Sequence, residues 1–144
     1  MKRAATLFGL AFILAFILDQ GIKQLILDGY RWQSQCIDIT LTYNKGVAFS
    51  MFAFLGPWLK YLQILLIGGA ALFVFYKRYV LYYALPLGLL LGAGSANLLD
   101  RFVHGGVVDY VYWHCGFDFA VFNLADATID LGVAWILWIH FRKQ

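Results

Sequence analysis

The stretch NLADATIDLGVAWILWIHF, residues 123–141, is apolar almost throughout from Leu131 onward, yet it opens with two carboxylates, Asp126 and Asp130, one helical turn apart. A helix needs about 20 apolar residues to cross roughly 30 Å of hydrocarbon, and this stretch approaches that length. An acid within such a helix costs on the order of 2.5–3.5 kcal/mol even on lenient insertion scales, so its retention points to a use. The segment therefore reads as a membrane-spanning helix with chemistry at its mouth.

Three further apolar segments lie upstream: Ala4 to about Leu27, Trp58 to Tyr76 after Pro57, and Val80 to Leu99. Of the 144 residues, 62% are hydrophobic and 13% charged, whereas a soluble domain is about half apolar and a quarter charged. The expected fold is an all-α membrane protein, a four-transmembrane-helix bundle forming a single domain over 1–144, with a small β element in its outer loops. The first segment has a basic start like a signal peptide, Lys2 and Arg3, but no A-x-A-like site follows and DQGIKQ (19–24) is a poor cleavage region. An uncleaved helix is the expectation. The net charge of +3 is small and scattered, which gives no footprint for nucleic acid. Cys36 and Cys115 match no zinc or CxxC spacing and read as two unlinked thiols, with a disulfide outside the membrane as the alternative.

Basic pairs set the orientation. Lys2/Arg3, Lys77/Arg78 and Arg142/Lys143 mark the start of helix 1, the link between helices 2 and 3, and the end of helix 4. The positive-inside rule makes that side cytoplasmic and puts both termini there. There is no Glu, and all eight Asp residues lie in or near the other half. Two loops, roughly 28–57 and 100–122, then lie outside. In the first, CIDITLTYN (36–44) alternates Ile37, Ile39, Leu41 and Tyr43 against Asp38, Thr40, Thr42 and Asn44, a half-buried strand with NKG as its turn. In the second, VVDYVYW (107–113) also reads as extended. An exposed strand edge there is suited to pairing with an extended peptide; a small sheet resting on the bilayer is the plainer reading.

The helices carry polar faces. Asp19 and Lys23 stand four apart in helix 1, as do Gln20 and Gln24, and Asp before Lys at that spacing favours an ion pair turned into the bundle. Helix 3 contains PLGLLLGAGSAN (86–97), whose small residues Gly88, Gly92, Ala93, Gly94, Ser95 and Ala96 allow a neighbouring helix to pack closely. Pro86 is a candidate kink.

Three catalytic constellations can be weighed. Ser50 with Lys45 is the nearest serine–lysine pair, but Lys45 falls in a turn with nothing to bury it. His104, Asp109, His114 and Cys115 offer metal-binding side chains, but without HExxH or any Glu as base. The third is a carboxylate pair: Asp109 from the second outer loop and Asp126 at the start of helix 4. Two neighbouring carboxylates share a proton, one acting as base toward water while the other polarises the carbonyl, and this needs neither metal nor cofactor. Asp126 also has a structural reading, as the acid of a capping box three residues after Asn123. Residue type alone leaves open whether Asp126 or Asp130 reacts. A proton-coupled transporter is the rival use of intramembrane acids, but its polar groups belong near the midplane, often on repeats; here they crowd the outer face and no repeat is visible.

NKGVAFS, NLLDR, VVDY and FNLAD, in this order, together with DQGIK at 19–23, resemble the motifs of the signal peptidase II (lipoprotein signal peptidase) family. The resemblance covers nearly the whole chain. It implies an aspartic endopeptidase of the bacterial inner membrane, with its site near the periplasmic face, that cuts prolipoproteins just before a diacylglyceryl-modified cysteine. It also implies membrane lipids and a globomycin-type inhibitor as further partners. It makes Asp109 and Asp126 the catalytic pair, puts Asn44 and Gly46 in the outer substrate-binding region, and gives Asn97, Asp100, Arg101 and Asn123 site-holding or substrate contacts, with Asp19 and Lys23 in support. Two departures stand out. GAGSAN replaces the family's usual GGALGN, so helix packing there is expected to differ slightly. Asp130 occupies a position that is usually apolar or small, and is left to pair with Lys23 or Lys60 or to sit protonated in the bundle.

Overall fold

The computed structural model describes residues 1–46 and 51–142. Helix α1 spans Lys2–Leu27, strand β1 Ile37–Asn44, a 3-10 turn Ala53–Trp58 leads into α2 at Leu59–Tyr76, α3 spans Val80–Val103, strand β2 Val107–Trp113, and α4 Leu124–Arg142. Among the described residues four helical segments, Lys2–Leu27, Ala53–Tyr76, Val80–Val103 and Leu124–Arg142, are long and apolar enough to cross a membrane. The four-span expectation holds. Their large side chains, such as Leu14, Leu65, Leu72, Leu131 and Leu137, face outward, as suits helices solvated by lipid tails.

Helix α3 is the central element. Half of its apolar window is buried, against 17% or less in the other three spans. Its small residues explain why. A Cβ on Gly88 would collide with the Phe8 carbonyl of α1, and one on Gly92 with that of Phe12. The two backbones touch, so only glycine fits there. Gly132 lets α4 approach α3 in the same way, with a Cβ there meeting Pro86 O at 3.1 Å and Leu90 Cβ at 3.2 Å. The expected kink is present: Tyr83 leaves helical geometry (φ −129°, ψ 31°) one turn before Pro86, whose ring displaces the preceding carbonyl and whose nitrogen cannot donate.

Helix α3 runs on past the expected end at Leu99 to Val103, so Asp100 and Arg101 belong to its last turns and not to the outer loop. Both side chains are buried and partnered, as described below, and those contacts hold the extra turn.

The two strands pair antiparallel, with Ile37 opposite Trp113 and Asn44 opposite Val107. The simple alternation expected along β1 is broken. Between Ile39↔Val111 and Thr42↔Asp109 the register shifts, and β1 carries one extra residue. Such a bulge rotates the strand locally. The strand edges are not bare either. Trp32 exchanges backbone hydrogen bonds with Ile39 at β1, and Phe122 does so with Val111 at β2. The ribbon is closed at one end by a Cys36–Cys115 disulfide, which corrects the expectation of unlinked thiols. The pairing of Ile37 with Trp113 carries the residues beyond them together, and His114 N–H donates to Cys36 O at 2.9 Å.

Candidate active site

The site lies where the sheet meets the upper ends of α1, α3 and α4. Seven polar or charged side chains are buried there: Asp19, Lys23, Asn97, Asp100, Arg101, Asp109 and Asn123. So many polar groups survive burial only because they satisfy one another.

The foundation is ionic. Lys23 Nζ lies 2.6 Å from Asp19 Oδ2 and 2.6 Å from Asp100 Oδ2, and donates to Asn97 Oδ1 at 2.8 Å. The i,i+4 pair read in helix 1 is present and turned inward. Each carboxylate then reaches a backbone amide. Asp19 Oδ1 accepts from Ala125 N–H at 2.8 Å, in the first turn of α4. Asp100 Oδ2 accepts from Val108 N–H at 3.1 Å, in β2. Gln20 donates to Asp100 Oδ1 at 2.8 Å, whereas Gln24 donates to Asp28 on the surface. One lysine on α1 thereby ties down the strand that carries Asp109 and the helix that carries Asp126.

On this base stand the two acids. Asn123 Nδ2 donates to Asp109 Oδ1 at 2.6 Å and to Asn97 Oδ1 at 3.1 Å. The Asn123 N–H donates to Asp126 Oδ2 at 3.1 Å, and Asn97 Nδ2 donates to Asp126 Oδ1 at 2.9 Å. The capping box is real as well, since Asp126 N–H donates to Asn123 Oδ1 at 2.9 Å. Capping and chemistry are thus compatible uses of one residue. Asp109 is also hydrogen-bonded by the Asn44 side chain. Burial pushes its carboxyl up, and the neighbouring charge of Asp126 pushes it further, from 3.8 to about 7, against the opposing hydrogen bonds.

Arg101 fixes the turn after β1. Its guanidinium donates to Asn44 O at 3.3 Å and, through Nη2, to Gly46 O. Asn44 Oδ1 in turn accepts from Gly46 N–H at 2.9 Å. A cavity of about 530 Å³ opens in front of these groups, lined among others by Asn44, Asn97, Arg101, Asp109 and Asp126. The ten residues that the resemblance assigns to the site fall in this one region, with Asp19, Lys23, Asp100 and Asn123 behind the wall and Gly46 held by Arg101 beside it.

Other expectations change. Asp130 lines the same cavity and is exposed, so it is not enclosed in the bundle. It pairs with neither lysine, because Lys23 is held by Asp19 and Asp100 and Lys60 lies over the Phe102 ring at 4.8 Å. Ser50 falls outside the described residues, and Lys45 is exposed. Of the other metal candidates, His104 packs by Tyr43, His114 lies 3.3 Å from Asp38, and Cys115 is in the disulfide. Among the described residues no group of three or more His, Cys, Asp or Glu is arranged to hold a metal ion.

Sequence reasoning missed two contributors. Tyr110, buried beside Asp109, accepts from Leu124 N–H at 3.0 Å and so holds the start of α4; burial pushes its phenol up to about 12. Its place directly after Asp109 was the available signal. Gln63 of α2 also lines the cavity, and nothing in its apolar surroundings distinguished it.

The chain is similar to proteins of one family over nearly its whole length. A family model described as "Signal peptidase (SPase) II" matches residues 11–142. The lipoprotein signal peptidase of Wolinella succinogenes is 61% identical over 135 residues, covering 92% of each chain. That of Helicobacter pylori is 53% identical over 141 residues, covering 97% of this chain and 90% of its own. A solved structure described as "Bacterial membrane enzyme structure by the in meso method at 2.3 A resolution" superposes with a TM-score of 0.78 at 26% identity, over 92% of this chain and 86% of that one.

Proposed function

The chain belongs to the signal peptidase II family of membrane aspartic peptidases, and we propose that it removes signal peptides from prolipoproteins, cutting just before a diacylglyceryl-modified cysteine with Asp109 and Asp126 as the catalytic pair. The observation that carries this is the bridge through Asn123, which holds both acids on one cavity by its side chain and its backbone.

In this reading the pair holds one proton. The ionised member takes a proton from water, whose oxygen attacks the scissile carbonyl carbon. The protonated member donates to the carbonyl oxygen as negative charge develops there. When the tetrahedral intermediate collapses, a proton passes to the departing cysteine nitrogen and the C–N bond breaks. Each product takes one element of water, and the pair ends with one proton again. Asn97, Asn123 and Asn44 orient the acids; Arg101 holds the Asn44–Gly46 turn as a wall for substrate; Asp19, Lys23 and Asp100 keep strand and helix in place.

The basic pairs at the chain ends and at Lys77/Arg78 support a cytoplasmic position for both termini. The site then faces the periplasm from the bacterial inner membrane, level with the headgroups, where a lipid-bearing cysteine is anchored. The whole chain acts as one domain, membrane lipids bound its sides, and a globomycin-type inhibitor is expected to occupy the same cavity. The test is release of the signal peptide from a diacylated prolipoprotein by the purified protein. Cleavage before the lipidated cysteine supports the reading, and an intact precursor contradicts it.

A further inference from the structure

Helix α2 contributes one polar side chain to the cavity, that of Gln63, in the second turn of the helix. Its Oε1 is sealed from solvent and has no hydrogen-bond partner among the described residues. Several other polar groups of the wall are engaged: Asn97 with Lys23 and Asp126, Arg101 through its terminal nitrogens with the Asn44–Gly46 turn, Asp126 with Asn123. Asp130 is exposed, and Arg101 Nε, itself a donor, is the other buried wall atom without a partner among the described residues. A buried acceptor without a donor is costly, and more so at membrane depth, where water does not supply the missing bond.

The position is informative. Tyr61 and Lys60, just before Gln63, pack on Phe102 near the sheet-side end of α3, so α2 enters the bundle at the same end as α4. Gln63 and the second turn of α4 therefore stand at similar depth, below the level of Asp126. A chain bound across Asp109 and Asp126 and continuing into the membrane passes between these walls. The chemistry of the missing partner follows. Oε1 needs a donor. The acyl chains of a lipidated substrate have none, and their ester oxygens only accept. The backbone of an extended peptide does donate, and away from water its N–H groups need acceptors.

We propose that Gln63 is a substrate-binding residue whose side-chain carbonyl accepts a backbone N–H of the signal peptide on the membrane side of the cut. This rests on the peptidase reading given above and adds a contact to it. The contact is made to the peptide throughout binding and not to the reacting carbonyl, so it acts on KM more than on kcat.

The experiment combines a variant with altered substrates. Gln63→Met keeps the length and volume of the side chain and removes the acceptor. It should raise KM about five- to tenfold and leave kcat within about twofold. Diacylated substrate peptides are then N-methylated one position at a time along the segment before the cut. One position should raise KM with the wild-type protein and have little further effect with Gln63→Met, the coupling expected of two groups that touch. A role confined to helix packing does not produce that coupling. Unchanged KM in Gln63→Met overturns the inference, as does the absence of any coupled position. Should the variant fold poorly, the wild-type scan alone remains decisive, since no sensitive position also overturns it. A wild-type protein that cleaves nothing overturns the underlying reading instead.

Discussion

Asn123 and Asp126 hold each other by two reciprocal hydrogen bonds across the first turn of α4, Asp126 N–H to Asn123 Oδ1 at 2.9 Å and Asn123 N–H to Asp126 Oδ2 at 3.1 Å. The same asparagine reaches Asp109 at 2.6 Å. A helix cap is therefore also the joint between the two acids. Asn123→Ala should cost about 1 kcal/mol through the lost cap. It should cost more in turnover, at least about tenfold in kcat, because Asp109 loses its orienting donor. Thermal unfolding in detergent and steady-state kinetics on the same preparation separate the two effects.

Lys23 should be the least replaceable charge in the protein. It compensates Asp19 and Asp100 together, each at 2.6 Å. Removing one partner of a buried ionic group costs about 3–5 kcal/mol, because the others remain buried and uncompensated. Lys23→Met should therefore lower the yield of folded protein sharply. Adding Asp19→Asn and Asp100→Asn should restore part of it, since the stranded charges are then gone. A triple variant no better folded than Lys23→Met alone would count against this account.

The pH dependence follows from Asp109, whose carboxyl is raised from 3.8 to about 7 by burial and then by Asp126. Folded protein holds this proton more tightly than unfolded chain. The stability so gained is fully present below pH 3.8, is lost as pH rises toward about 7, and then levels off. Asp109→Asn removes that slope and should raise the melting temperature at pH 8 relative to wild type. Activity should fall on the alkaline side, centred near the same pH, as the pair loses its shared proton. A pH-independent difference in melting temperature between variant and wild type would be the contrary result.

The Cys36–Cys115 disulfide closes a loop with a sequence separation of 79 and clamps the free end of the ribbon that carries Asp109. A loop of that size is worth at most about 4–5 kcal/mol by chain entropy, and the helices in the bilayer already restrain its ends. Reduction, or Cys36→Ser with Cys115→Ser, should lower the melting temperature by several degrees and leave the protein inserted and helical. Equal melting curves with and without reductant would show the clamp to be idle.

Much of this was legible in the sequence. The four spans could be read because apolar length has few other meanings, and the strands because Ile37 to Asn44 alternate. Asp109 and Asp126 stood out because an acid at the membrane boundary is costly. The end of α3 could not be read. What extends it to Val103 is Lys23, 77 residues before Asp100 in the sequence, and Val108 across a turn. The disulfide was hidden for the same reason: cysteine spacing says nothing until β1 and β2 are in register. The bulge before Thr42 leaves no mark in residue type. Asp130 was legible as unusual, and it proves to line the cavity exposed, with neither expected lysine.

The decisive measurement is cleavage of a diacylated prolipoprotein by Asp109→Asn and Asp126→Asn, each compared with wild type in the presence of a chelator and with folding verified. Asparagine keeps the size of the side chain and an acceptor for Asn123 or Asn97 but cannot exchange the proton. If the two carboxylates carry the reaction, wild type keeps full activity under chelation and neither folded variant cleaves detectably. Activity surviving in Asp109→Asn or Asp126→Asn, or a wild-type enzyme silenced by the chelator and restored by zinc, would rule out catalysis by this carboxylate pair.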